Sequence, residues 1–182
     1  KFNFAYDASR TAEGNYWPEK LGNGLWNFPL AGLKIVGTAK KTLSMDYNFY
    51  VSQSGGVADT KNKDLYKKQM VDSYLAWFQT NYNGNRGPLN IGHHFSQWNG
   101  GAYFEAIQLF AGAVCGLPEV KCVTYTEYVQ WLESLQPAVL ADIRKGRFDR
   151  IATPIQVAEA QAPVNTTVKL ATRSSDGGTS VF

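Results

Sequence analysis

The chain has 182 residues, 44% of them hydrophobic, which fits one domain with a real core and leaves little room for a second. Its 18 basic and 15 acidic residues are spread along the chain, giving a formal charge of +3 and no basic run of the kind that marks a nucleic-acid surface. No stretch approaches the roughly 20 apolar residues that span a bilayer and no charged-then-apolar leader opens the chain, so a globular protein without a membrane span is expected, any signal peptide having been removed.

Phe2, Phe4 and Tyr6 alternate with small or polar residues and predict a strand ending at Asp7-Ala8-Ser9. From Arg10 to Gly24 there is no sustained period, and Gly14, Pro18, Gly22 and Gly24 make this a long loop, a kind of segment that often carries function. Leu25 to Leu30 predicts a second strand, with Pro29 at its edge or end. Thr42 to Val51 predicts a third, placing Leu43, Met45, Tyr47 and Phe49 on one face and Asp46 on the other. Between Thr60 and Tyr82 the period changes to that of a helix. Leu65, Met70, Val71, Tyr74, Leu75, Phe78 and Tyr82 form its apolar stripe, and Lys61, Lys63, Lys67 and Lys68 its solvated side.

Asn83 to Pro88 stops that helix and leads into Asn90-Ile91-Gly92-His93-His94-Phe95-Ser96-Gln97-Trp98-Asn99-Gly100-Gly101, which holds both histidines of the chain. Leu89 and Ile91 read as a short strand, and Asn99 can cap a helix whose Tyr103, Ile107, Phe110 and Val114 share a face. His93 and His94 thus stand at the C-terminal end of a strand, where α/β architectures build sites. Neighbours on a strand point to opposite faces, so only one of the two easily faces a shared site. The plain alternative for either is a partly buried ring with a satisfied nitrogen.

Cys115 and Cys122 bracket a six-residue loop and either close a disulfide or serve as two small buried hydrophobes; no further Cys or His nearby suggests zinc. A strand at Lys121–Thr124, a helix opened by a Thr124 and Glu127 capping box and carrying Val129, Leu132 and Leu135, and a helix from Ala138 to about Gly146 follow. From Ile151 the Ala, Thr, Ser, Gly and Val composition reads as an extended tail, containing the formal glycosylation sequon Asn165-Thr166-Thr167. Strands alternating with helices predict the α/β class with parallel strands. The 14% aromatic content suits either a sugar-binding cleft or a well-filled core.

Phe4-Ala5-Tyr6-Asp7-Ala8-Ser9, Gly24-Leu25-Trp26-Asn27-Phe28-Pro29-Leu30, Asn85-Arg86-Gly87-Pro88 through Trp98, and Val123-Thr124-Tyr125 with Val129-Gln130-Trp131-Leu132 occur in an order and spacing that resembles the C-terminal half of the polysaccharide deacetylase (NodB-homology) family. The resemblance implies the C-terminal part of a distorted (β/α) barrel over residues 1–136, with 137–182 a C-terminal helix and tail. It implies a hydrolase that removes N-acetyl groups from chitin- or peptidoglycan-like glycans, secreted, periplasmic or on the cell surface. In that family a divalent metal, zinc or similar, activates water and is held by an Asp and two His of the first half. The chain has no Thr-Phe-Asp-Asp run and no His-x-x-x-His pair, so the expected partner is a missing N-terminal half that carries the metal ligands.

On the family pattern His94 is the general acid that protonates the leaving amine, a step that suits an imidazole, and Asp46 is the acidic residue that holds its tautomer. Trp26, Trp98 and His93 are expected to contact substrate, the two tryptophans offering flat faces to a sugar ring or packing in the core. Trp98 lies one residue farther from His94 than the family's usual tryptophan. The alternative, from a different class, is a non-catalytic glycan-binding or assembly module derived from that fold.

Overall fold

Among the described residues the longest element is helix α2, Lys63–Asn83, and the main core is packed along it. The computed structural model describes residues 4–149, so Phe2, the tail from Ile151 and the Asn165 sequon lie outside the described residues. The described residues include five short strands, β1 Tyr6–Asp7, β2 Thr11–Glu13, β3 Trp26–Asn27, β4 Leu30–Lys34 and β5 Lys41–Leu43. The remaining helices are α1 Asp46–Ser54, α3 Trp98–Val114, α4 Tyr125–Ser134 and α5 Pro137–Arg144. The class is mixed α/β, as the alternation of periods predicts.

The strands form two small sheets among the described residues. β1 pairs parallel with β3, with Tyr6 opposite Trp26, and β2 pairs parallel with β4, which pairs antiparallel with β5. The β4 to β5 hairpin turns through Ile35 to Lys40, closed by the Ile35 N–H donating to the Lys40 carbonyl at 3.0 Å. Ala31 and Leu33 point inward and Gly32 and Lys34 outward, the two-residue alternation of a sheet with one buried face.

The stretch read as a strand from Thr42 to Val51 is a strand only as far as Leu43; from Asp46 it is helix α1. Its Tyr, Phe and Val content favours strands, but the residues it buries, Asp46, Phe49 and Tyr50, recur at a spacing of three and four. Tertiary packing selected the helical period, and Asp46 at the first position is stabilised by the positive end of the helix. Likewise Lys121–Thr124 is not a strand, and the Leu89–Ile91 segment pairs only through a single parallel bridge between Met45 and Gly92.

In α2, Tyr66, Met70, Tyr74, Trp77, Phe78 and Tyr82 are buried and Leu65, read as part of the stripe, is exposed. Met70, Tyr74, Tyr103, Phe49 and Ile35 make the centre of the main core. Replacing fully buried Met70 by Ala is expected to destabilise by about 2–5 kcal/mol. Two of the lysines of the polar side also bind α3, Lys63 and Lys67 both pairing with Glu105.

A smaller second cluster joins Trp17, Trp26 and Phe28 to Val129, Leu132 and Leu140. The capping box of α4 forms as read, Thr124 Oγ1 accepting from the Glu127 N–H. Because Leu140 and Ile143 of α5 pack into this cluster beside Trp26, the helix after Gln136 is continuous with the body of the fold. The Cys115–Cys122 disulfide is present, with Cα atoms 5.5 Å apart.

Candidate functional site around Asp46 and His94

The site is built where two parallel segments end side by side. Gly92 N–H donates to the Ser44 carbonyl at 2.9 Å and Asp46 N–H donates to the Gly92 carbonyl at 3.2 Å, so the chain runs parallel at 44–46 and 90–92. Ser44, fully buried, locks the pairing: its hydroxyl donates to the Asn90 carbonyl at 2.7 Å and accepts from the Ala31 N–H at 2.9 Å. Gly92 is needed for the approach, since a Cβ there would lie 3.2 Å from the end of Met45 and 3.3 Å from Leu30. Immediately beyond the pairing, one segment supplies Asp46 and the other His93 and His94.

Asp46 is 1% exposed and its carboxylate is well satisfied. Oδ1 accepts from the Tyr47 N–H at 2.7 Å and is 2.7 Å from His94 Nδ1, while Oδ2 accepts from the His94 N–H at 2.7 Å. A carboxylate only accepts, so Nδ1 of His94 carries the proton and Nε2 is the nitrogen turned outward. The His94 side chain is 51% exposed, which leaves Nε2 accessible to a bound molecule. This is the pairing expected from the sequence, although Asp46 reaches it from the first turn of a helix rather than from the face of a strand.

Aromatic rings frame the imidazole. Trp98 lies 5.5 Å and Tyr47 6.3 Å from His94 between ring centroids, and Tyr47 and Trp98 are 5.4 Å apart. Tyr50 stacks parallel on Trp98 at 5.1 Å and thereby fixes the plane of the indole. The indole is held from the other end by a left-handed run at Asn99, Gly100 and Gly101, with φ of 51°, 71° and 83°. Asn99 is buried and ties the run down: its amide donates to Ser54 Oγ and Tyr103 Oη and its oxygen accepts from the Asp59 N–H.

His93 and Trp26 are packed inside rather than offered to a substrate, the second of the two placements that the sequence leaves open for each. The His93 side chain has no exposed surface, so it is withheld from direct contact with a substrate; Nδ1 lies 3.8 Å from Asp46 Oδ2, beyond hydrogen-bond distance. Burial pushes the His93 imidazole down to about 4, the Asp46 charge opposing this only in part. Trp26 is 5% exposed inside the second cluster, where its indole N–H donates to Glu133 at 2.7 Å. Its face is used in packing because the strand that carries it pairs with β1 and turns its side chain inward.

Tyr47 belongs to the site although the sequence expectations do not include it. It is 48% exposed beside His94, and its position next to Asp46 at the start of a helix is the signal that would have found it. Comparison of the chain with protein-family models, curated proteins and solved structures finds no match. Among the described residues no group of three or more His, Cys, Asp and Glu side chains is placed to hold a metal ion. His94 Nδ1 is taken up by the Asp46 carboxylate and the His93 side chain is enclosed, so this cluster does not fit the role of a metal site.

Proposed function

We propose that this chain supplies the proton-donating part of a carbohydrate N-deacetylase acting on chitin- or peptidoglycan-like glycans. The observation that carries the reading is the His94 imidazole held at Nδ1 by a buried carboxylate, with Nε2 outward beside two aromatic rings. In its protonated form such an imidazole delivers a proton from Nε2 to the departing amine as the tetrahedral intermediate collapses, and Asp46 keeps the ring in the productive tautomer throughout. Tyr47 and Trp98 offer apolar ring surface for a sugar or for the methyl of its N-acetyl group.

In this reading the chain is the C-terminal part of a distorted (β/α) barrel. Support comes from the parallel pairs β1 with β3 and β2 with β4, and from a candidate site at the C-terminal ends of parallel segments, where barrel enzymes carry their chemistry. A divalent metal and its ligands then belong to sequence outside this chain. The disulfide supports an oxidising location, secreted, periplasmic or at the cell surface. Among the described residues no helix is long and apolar enough to cross a membrane.

Acetate release from acetylated chito-oligosaccharides and from peptidoglycan fragments by the full-length protein, with and without a chelator, tests the reading. Chelator-sensitive release is expected. Release that ignores the chelator, or no release from any glycan, overturns it, and glycan binding without turnover that survives His94→Ala would instead favour a binding module.

A further inference from the structure

Beneath the candidate acid lies a buried imidazole that the proposed proton transfer does not use. The His93 side chain is fully enclosed, and neither Nδ1 nor Nε2 has a hydrogen-bond partner. Burying a polar ring with both nitrogens unbonded is unfavourable, and a phenyl ring would fill a similar space without that penalty. The polarity therefore calls for an electrostatic explanation, and the geometry offers one. Asp46 Oδ1 already accepts two hydrogen bonds and Oδ2 one, which leaves Oδ2 capacity for one more donor. The nearest further nitrogen is His93 Nδ1 at 3.8 Å.

Resting on the deacetylase reading above, we propose that His93 is a positioning residue for the His94–Asp46 pair, its buried imidazole directing an Nδ1–H dipole at the remaining side of Asp46 Oδ2. The groups that face it are few. Asp46 approaches from the start of α1, Tyr74 from α2 with ring centroids 6.4 Å apart, and His94 and Phe95 from its own loop, the Phe95 ring at 6.0 Å. The Tyr74 hydroxyl is itself buried without a partner, and burial, followed by the Asp46 charge, pushes its ionisation up, so it stays a neutral phenol. Burial likewise keeps His93 uncharged at neutral pH. A second imidazolium at this distance would share the Asp46 charge with His94, whereas a neutral ring supports the carboxylate and leaves that charge to His94 alone.

The test has two arms on the full-length protein. Nitrogen-15 NMR of the imidazoles is expected to show His93 as a single neutral tautomer with its proton on Nδ1 between about pH 5.5 and 8, the range in which a solvated histidine would titrate. A proton on Nε2, or protonation of His93 in that range, overturns the proposal. In the second arm His93→Phe is expected to lower kcat for acetate release about 10-fold, with KM and Tm near those of the wild type, and His93→Asn, which retains an N–H donor, to recover most of the loss. A folded Phe variant with wild-type kcat overturns the proposal, and where the variants do not fold the tautomer decides. Absence of acetate release by the wild-type protein overturns the deacetylase reading alone, and the tautomer then decides for or against the orientation of His93.

Discussion

Asp46 receives two hydrogen bonds from His94, one from the backbone N–H and one from ring Nδ1, each at 2.7 Å and across 48 positions of sequence. A single bond would allow the ring to swivel; two fix the peptide and the imidazole together. Asp46→Asn keeps the shape but has only one accepting oxygen, so one of the two contacts is lost or meets another N–H. The expected result is a fall in kcat of about 10²-fold with KM little changed, measured by acetate release. An Asn variant with wild-type kcat would mean that the carboxylate does not govern the ring.

His93 gives the protein a pH dependence of stability with a definite sign. The unfolded chain binds a proton at this imidazole below about pH 6.5, whereas the folded chain does so only below about 4. Its influence is absent above about 6.5, grows as the pH falls toward 4, and is then constant, destabilising the fold by on the order of 3 kcal/mol. Urea unfolding of wild type and His93→Phe across this range isolates the effect. The gap between the two curves should change in favour of the Phe variant as the pH falls; parallel curves would contradict the burial of His93.

Much of this arrangement was legible in the sequence, and the parts that were not share a cause. The helix after Thr60, the helix carrying Tyr103 and Phe110, and the Thr124 and Glu127 capping box each follow from periods and caps that act within one turn. The pairing of Asp46 with His94 was also expected, from the family resemblance. What local pattern could not reveal was which of two periods would win at residues 42–51, because Tyr47 and Phe49 fit an alternating strand while Asp46, Phe49 and Tyr50 fit a helix. Only the core formed by α2 and α3 decides between them. The burial of Trp26 and His93 is similarly a property of long-range packing that identical residues on a surface loop would not show.

Asn99 holds Trp98 in place through a left-handed backbone and three side-chain hydrogen bonds, and the two contributions can be separated. Asn99→Gly retains the backbone and loses the bonds, an expected loss of about 1–3 kcal/mol. Asn99→Ala also places a Cβ in the left-handed region, adding about 1–2 kcal/mol. Denaturant unfolding should therefore rank wild type above Gly and Gly above Ala. An Ala variant as stable as the Gly variant would show that the turn at 99–101 carries no backbone strain.

The disulfide closes a short loop that also rests on the end of α2 and the turn after it, where the Tyr82 hydroxyl donates to the Pro118 carbonyl at 3.0 Å and Arg86 pairs with Glu119 at 3.0 Å. Replacing Cys115 and Cys122 together by Ser is expected to lower stability by about 2–3 kcal/mol, chiefly by freeing the unfolded chain. The same fall in Tm should follow reduction of the wild-type protein. A Tm that is insensitive to reductant would contradict the contribution assigned to this cross-link.

In the proposed reaction His94 donates a proton while His93 only supports it, and steady-state acetate release by His94→Ala and His93→Ala in the full-length protein separates the two roles. His94→Ala is expected to lower kcat by about 10²–10⁴-fold with KM and Tm close to wild type, the usual loss for a positioned acid. His93→Ala should cost much less turnover and more stability, because it opens space in the core. Equal losses of turnover from both variants, accompanied by equal losses of thermal stability, would contradict these roles and make the histidine pair a structural feature.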